Sequence, residues 1–163
     1  MNAISKIKTW SVALFTCFCL CNCTNENATE EVIYDSSVDY IQMETQIHDQ
    51  INQYRLSQGL EALEPVGLIA TTASSHNIHM IANGEVCHHG FGSREKQLGT
   101  GLGAIVVAEN VGYGFQTAQG VVQAWIKSEE HKKNIEGDFD SMGIAASQNE
   151  DGLYYFTNIF VKR

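Results

Sequence analysis

The order in which the apolar pattern changes its period is the feature that most constrains how this chain folds. Apolar residues recur every three to four positions in helices and on successive or alternate positions in strands. In chain order, this criterion predicts helices over residues 40–56 and 68–83, a strand over 104–108, helices over 117–126 and 128–135, and strands over 142–147 and 153–161. The last two strands flank a polar segment with Asp151-Gly152, a hairpin signal. This order fits an α+β layered domain with an antiparallel sheet better than a parallel βαβ fold.

The N-terminus has the features of an export signal. Lys6 and Lys8 precede an apolar run over residues 10–20 that is too short to span a bilayer as a helix. The run ends in Leu20-Cys21-Asn22-Cys23, which resembles a bacterial lipobox with Cys23 as the lipid anchor. Asn22 stands where a small residue is usual, and the signal contains three other cysteines. A plain secretory signal is therefore the alternative interpretation.

A signal over residues 1–23 would leave a tether and one domain. The tether, residues 24–38, begins as a polar and acidic segment without apolar periodicity, which suits a solvated link to a lipid anchor. The domain is predicted over 39–163, and these about 125 residues suffice for one core but not for two. We expect an exported protein that is either anchored at the cell envelope or surface, or secreted.

The charge of the mature chain argues against two classes of partner. Without Lys6 and Lys8 it has eight basic and 19 acidic residues, a net charge of −11. Nucleic acids and anionic membrane surfaces both require a basic patch, and none is visible. We therefore expect no nucleic-acid partner, and membrane contact only through the lipid anchor.

Cys87 is the one cysteine of the predicted domain, because the other four lie in the signal. No intrachain disulfide is expected unless Cys23 stays unacylated, so stability must come from packing. Cys87 and His88 are adjacent, and neighbours in an extended chain cannot form a thiolate–imidazole pair. Cys87 is therefore expected to be a small buried hydrophobe and not a nucleophile.

Glu109 and Asn110 are polar residues at the predicted exit of the first strand, just before residues 111–114, where the chain is expected to turn. A carboxylate at this point is either a site residue or an acceptor for backbone N–H groups of the glycine-rich turn. The sequence pattern leaves both interpretations open.

Three histidines are placed by the predicted elements. His131 falls at N3 of a helix capped by Ser128, where the helix dipole favours the neutral imidazole, although a surface histidine in a turn is the plainer interpretation. His88 lies in an extended or looped stretch. His76 shares the apolar stripe of the second helix, where a buried histidine that donates a hydrogen bond is expected more than a ligand.

The glycine-rich segment over residues 99–103 is not expected to bind phosphate. Phosphate-binding loops follow a strand and open a helix, whereas this segment follows a polar stretch and leads into a strand.

Several short motifs occur together in a distinctive order. In chain order they are Asn52-x-x-Arg55 with Gly59-Leu60, Ala73-x-x-His76-x-x-x-Met80, His88-x-Gly90-Phe91, Ala108-Glu109-Asn110-Val111, Thr117-Ala118-x-x-Val121-Val122-x-x-Trp125-x-x-Ser128-x-x-His131-x-x-Asn134-Ile135, and Met142-Gly143-Ile144 with Tyr154-Tyr155. Together they resemble the CAP superfamily, which contains cysteine-rich secretory proteins, venom allergens and plant pathogenesis-related proteins, in its bacterial single-domain form. The resemblance extends from about Ile47 to the C-terminus.

The resemblance implies a three-layer α-β-α sandwich, the CAP or SCP fold. It implies a central cleft lined by His88, Glu109 and His131, with His76 and Asn110 beside them. Two departures bear on the site. The helix bearing Trp125 ends without the second cavity glutamate of eukaryotic members, and the disulfides of those members are absent.

The resemblance leaves three functions open. Two imidazoles and a carboxylate have the composition of a catalytic zinc site, so His88 and His131 are the expected ligands of zinc or another divalent metal. The first hypothesis is an exported module that binds an unknown ligand in the cleft, with or without metal and without turnover. The second is a metal-dependent hydrolase with Glu109 as catalytic general base. The third is lipid or sterol carriage, which requires an apolar groove that the sequence does not locate.

Overall fold

The computed structural model describes residues 36–163 of the chain. The predicted signal, the Cys23 anchor and the tether up to residue 35 lie outside the described residues. In chain order the elements are α1 (Ser36–Ser57), β1 (Glu64–Pro65), α2 (Gly67–Asn83), α3 (Phe91–Leu102), β2 (Val106–Tyr113), α4 (Ala118–Lys127), α5 (Glu129–Ile135), β3 (Ser141–Gln148) and β4 (Tyr154–Lys162).

The four strands form one sheet in the order β1-β3-β4-β2. β3 and β4 are the predicted hairpin, and β2 pairs with the far side of β4 in an antiparallel register that places Glu109 opposite Ile159. β1 pairs in parallel with β3, so the sheet is mixed and not purely antiparallel as predicted. A two-residue strand that contains Pro65 is too short to produce a periodic signal.

Helices cover both faces of the sheet, which confirms the three-layer α-β-α sandwich. One core lies beneath α1 and α4, where Ile47, Trp125 and Phe156 are buried. The second core lies beneath α2 and α3, where Ile69 and Leu98 are fully buried. The alternation along β4 explains this division, because successive side chains of a strand point to opposite faces.

Gly143 in β3 brings α2 directly onto the sheet. A Cβ atom added to Gly143 would lie 2.7 Å from the Cβ atom of Ile69 in α2, closer than two carbon atoms can pack. Glycine at this position therefore sets the spacing of one helical layer from the sheet.

β2 differs from the predicted strand. It begins at Val106 and continues through Tyr113, so Glu109 and Asn110 lie in its middle and not at its exit. The chain turns only at Gly114, which has a φ of 77°. A strand interior accepts these two polar side chains because both find hydrogen-bond partners when buried.

α3 is a helix that the apolar pattern did not predict. Three of its residues are glycines, which have low helix propensity and interrupt the signal. Leu98 is fully buried, and Gly103 ends the helix with a φ of 72°. The glycine-rich segment is therefore the last turn of a helix.

No helix within residues 36–163 combines the length and the apolar character needed to cross a lipid bilayer.

Candidate functional site

Glu109 is the centre of the candidate site. It lies on β2 with its side chain towards α2 and α3, and that side chain is 1% exposed. Arg94 of α3 grips the carboxylate with two hydrogen bonds, from Nε to Oε2 and from Nη2 to Oε1, both 2.7 Å long. Paired N–H groups of a guanidinium match the two oxygens of a carboxylate, which makes this the strongest form of ion pair.

His88 lies in the loop that follows α2 and shares the same carboxylate. Its Nδ1 is 2.8 Å from Oε1 of Glu109, and its side chain is 52% exposed. Because the carboxylate accepts, Nδ1 carries a proton, and in the neutral imidazole Nε2 then has the lone pair. Glu109 thus fixes the tautomer and the orientation of an imidazole that faces the cleft.

Arg94 is the site residue that the sequence reasoning missed. Its Nη1 also donates to the carbonyl of His89 at 2.8 Å, so it fastens the loop that carries His88. The available signal was the spacing of Phe91, Arg94 and Leu98, which places them on one face of a helix. A buried carboxylate also requires a counter-charge, and Arg94 supplies it.

His76 supports the site from α2 as a buried residue. Its Nε2 donates to the carbonyl of Cys87 at 2.7 Å and lies 3.7 Å from Oε1 of Glu109. Burial is the main cause that lowers the pKa of His76 below its ordinary value. The expectation of a buried histidine that donates a hydrogen bond is confirmed. Cys87 itself is a free thiol that is half-buried and not fully buried as expected.

His131 occupies N3 of α5, as predicted, but Ser128 does not cap the helix with its side chain. Instead, Oγ of Ser128 lies 2.7 Å from Nδ1 of His131, which leaves Nε2 as the ring nitrogen available for a ligand. Burial is the main cause that lowers the pKa of His131, and the nearby His88 lowers it further. The helix position predicted a neutral imidazole for His131, and burial is the main reason why the neutral form is favoured.

Asn110 lies behind the cleft and connects β2 to α5 through hydrogen bonds. It is fully buried, and its Nδ2 donates to the carbonyl of His131 at 3.0 Å. Asn134 of α5 donates to Oδ1 of Asn110 at 2.8 Å and to the carbonyl of Glu109 at 3.2 Å. These bonds set the position of α5, and hence of His131, relative to β2.

The cleft beside Glu109 has a volume of about 310 Å³. Its lining combines apolar and polar groups and comprises His88, Phe91, Val107, Ala108, Glu109 and Asn134. His131 lies outside that lining, on the helix that also carries Asn134. The structure thus brings His88, Glu109 and His76 into direct proximity and places His131 on the neighbouring helix.

Two further histidines flank this group. The rings of His76 and His79 stack with centroids 5.9 Å apart, and those of His79 and His89 stack at 5.3 Å. Among residues 36–163, no group of three or more histidine, cysteine, aspartate or glutamate side chains is arranged to hold a metal ion.

Comparison with known proteins identifies the family. The family model of the cysteine-rich secretory proteins, called CAP, matches residues 48–161. The chain belongs to the CAP family. The match includes His76, His88, Glu109 and His131, so all four lie within the CAP domain.

Solved structures of other CAP proteins share the fold. An outer surface protein of Borrelia burgdorferi superposes with a TM-score of 0.68 at 23% identity, over 75% of this chain and 93% of that one. An extracellular SCP-domain protein of Bacillus anthracis gives 0.67 at 24% identity, over 76% and 41%. A cysteine-rich secretory protein of Staphylococcus aureus gives 0.66 at 19% identity, over 76% and 39%.

One curated relative is similar in sequence. An uncharacterized membrane protein of Bacillus subtilis, YlbC, is 29% identical over 124 residues, which make up 74% of this chain and 34% of the relative. The chain thus spans about a third of the length of that relative.

Proposed function

We propose that this CAP domain is an extracytoplasmic ligand-binding module in which Glu109 orients His88 and does not act as a base. The observation that supports the proposal is that protein donors occupy both oxygens of the Glu109 carboxylate. Its two oxygens accept two hydrogen bonds from Arg94 and one from His88, and its side chain is 1% exposed. A general base must be within reach of a substrate proton, whereas this carboxylate is already committed to protein donors.

The names of two structural relatives support a location outside the cytoplasm, since one is an outer surface protein and another an extracellular protein. The predicted export signal points the same way. Anchoring through an acylated Cys23 is part of the same proposal.

Two imidazoles, one in the cleft and one on the neighbouring helix α5, are the groups that would hold a divalent metal. Nε2 of His88 and Nε2 of His131 are the ring nitrogens left free by their Nδ1 contacts. Glu109 behind His88 matches the carboxylate that orients a metal-bound histidine in many zinc sites. A bound zinc ion would supply a Lewis acid that attracts an anionic or carbonyl group of a ligand.

Zinc titration by calorimetry tests the site. The protein is the full chain carrying Cys23→Ala, the unacylated chain, compared with the same chain carrying His88→Ala and His131→Ala. We expect the double variant to lose zinc binding, while His89→Ala, a change of the next histidine, keeps it. Equal zinc affinity in all three proteins would refute the metal-binding cleft.

Glu109→Gln separates an orienting role from a catalytic one. If Glu109 orients His88, the variant should bind zinc about 10- to 100-fold more weakly. The alternative hydrolase would instead turn over peptides or esters from a mixed library with zinc present, and Glu109→Gln would abolish that turnover. Turnover of this kind in the wild type would establish the hydrolase and overturn the binding module. Lipid or sterol carriage stays a prediction.

A further inference from the structure

β2 is an edge strand of the sheet, with β4 on one side. Gly114 N donates to the carbonyl of Tyr154 at 2.8 Å, so even-numbered residues of β2 direct their main-chain groups to β4. Main-chain N–H and C=O groups of Val107, Glu109 and Val111 therefore point away from the sheet.

Side chains of the neighbouring helices cover only part of this edge. Trp125 Nε1 donates to the carbonyl of Val111 at 2.9 Å, and Asn134 Nδ2 donates to that of Glu109 at 3.2 Å. Within residues 36–163, the N–H and C=O of Val107 and the N–H of Glu109 have no hydrogen-bond partner. Unpaired groups on an edge strand form a template for another strand.

Clefts lie on both faces of this uncovered stretch. The first is the 310 Å³ cleft of His88 and Phe91 described above. The second has a volume of about 730 Å³ and lies between β2 and α5. Both clefts are lined by Ala108 and Asn134, so they flank the same segment of the edge. A strand added here would place alternate side chains in the two clefts.

Charge favours a foreign peptide over a second copy of the chain. Lys132 and Lys133 line the cleft beside α5, and neither forms an ion pair with another residue in the described part of the chain. Two acids line the same cleft: Glu136 already accepts a hydrogen bond from Tyr54 at 2.6 Å, and Glu129 lies in the first turn of α5, where the helix dipole stabilises its charge. Two copies of a chain with a net charge of −9 repel each other, whereas an acidic side chain is attracted locally by the two lysines.

We propose that the outer edge of β2 at Val107 and Glu109 binds an extended segment of another protein as a fifth strand. One face of that segment enters the cleft of His88, and the other presents an acidic side chain to Lys132 and Lys133. This inference rests on the proposed binding function and names its ligand class, an extended polypeptide.

The test uses a blocked hexapeptide of alternating valine and glutamate as the probe for the unacylated chain. Val107→Pro removes the outward N–H without removing a bond to β4, and proline is tolerated on the free side of an edge strand. Val107→Ala shortens the same side chain and keeps the N–H. We expect calorimetry to show similar binding by the wild type and Val107→Ala, and about tenfold weaker binding by Val107→Pro. Equal binding by Val107→Pro and Val107→Ala would overturn main-chain pairing.

Two further measurements fix the identity of the occupant. The preference for an acidic side chain is tested in two comparisons. The wild type should bind the valine–glutamate peptide more tightly than a hexapeptide of alternating valine and lysine, and Lys132→Gln/Lys133→Gln should bind the valine–glutamate peptide more weakly than the wild type. Equal affinity in either comparison would refute the preference. Concentration-dependent dimerisation in sedimentation that Val107→Pro abolishes would show that a second copy occupies the edge, which would overturn the proposal.

Zinc binding separates this inference from the proposed function. The circular dichroism spectrum and melting temperature of Val107→Pro should match those of Val107→Ala, which shows that the variant is folded. If the wild type binds zinc but does not bind the peptide, strand addition is refuted and the metal-binding cleft is not. If the wild type binds the peptide but does not bind zinc, the metal-binding cleft is refuted and strand addition is not.

Discussion

At the scale of single residues, Glu109 and Arg94 form a buried ion pair on which the candidate site depends. Their side chains are 1% and 11% exposed. Removal of either partner leaves the other charge buried without its main counter-charge, whereas a neutral pair of similar size avoids that penalty.

We expect Arg94→Gln and Glu109→Gln each to lower the free energy of unfolding by about 3–5 kcal/mol. The double variant should lose less than the sum of the two, because neither charge is then stranded. Urea denaturation of the unacylated chain measures all three. Lys162→Gln, which breaks the exposed ion pair with Asp138, is the matched control and should change stability little. Additive losses in the double variant would show that the two residues do not act as a pair.

His76 and His131 should make stability depend on pH. Both have a pKa lowered by burial, so on acidification the unfolded state takes up protons before the folded state does. Stability contributed by the neutral rings is complete above about pH 6.5 and is lost as pH falls through the lower folded-state pKa. His76→Gln, which keeps a donor for the carbonyl of Cys87, should flatten this dependence between pH 7.5 and 5 by at most about 1.4 kcal/mol per pH unit. Denaturation curves with an unchanged slope would contradict it, and His89→Gln controls for the loss of an exposed imidazole.

At the scale of elements, the contact between α2 and β3 sets the position of His76 relative to Glu109. Gly143 permits this contact, because the backbone of α2 lies where a side chain would be. α2 ends at Asn83, with Gly84 as its C-cap, and the loop that follows carries His88 to the same carboxylate. The distance between α2 and the sheet therefore sets the positions of both His76 and the loop that carries His88.

We expect Gly143→Ala to destabilise the protein by about 1–3 kcal/mol, the cost of inserting a methyl group into a packed core. Gly67→Ala is the matched control, since a Cβ added there meets no atom within 4 Å. Thermal unfolding monitored by circular dichroism compares the two. Equal melting temperatures for Gly143→Ala and Gly67→Ala would show that α2 moves away from β3 without cost.

At the scale of the whole molecule, residues 36–163 are stabilised without a disulfide bond. Within residues 36–163, Cys87 is a free thiol, and two cores on the faces of one sheet bury the large apolar side chains. The predicted export signal and Cys23 lie outside these residues.

Cys23→Ala tests the anchor. If Cys23 is acylated, the variant should move from the membrane fraction to the soluble fraction of cells that express the full chain, because the lipid supplies the membrane affinity. Fractionation and immunoblotting measure the change, with Cys21→Ala as the matched control. Continued membrane association of Cys23→Ala would refute anchoring through this residue.

Much of the fold was determined by local sequence. Apolar periodicity predicted α1, α2 and α4, and the Asp-Gly signal predicted the hairpin of β3 and β4. Periodicity did not reveal α3, because its glycines weaken a helix that Leu98 stabilises by tertiary packing. β1 was missed because two residues carry no period.

The candidate site was determined by the sequence only in part. Motif order identified His88, Glu109 and His131, whose residue types alone were ambiguous. Only the tertiary structure decided that Arg94 engages both oxygens of Glu109 and that Asn110 lies behind the cleft. The physical reason is that these contacts join residues of α3, α5 and β2, which are brought together by packing on opposite faces of one sheet. Local patterns specify which elements form, and long-range packing decides which polar groups meet.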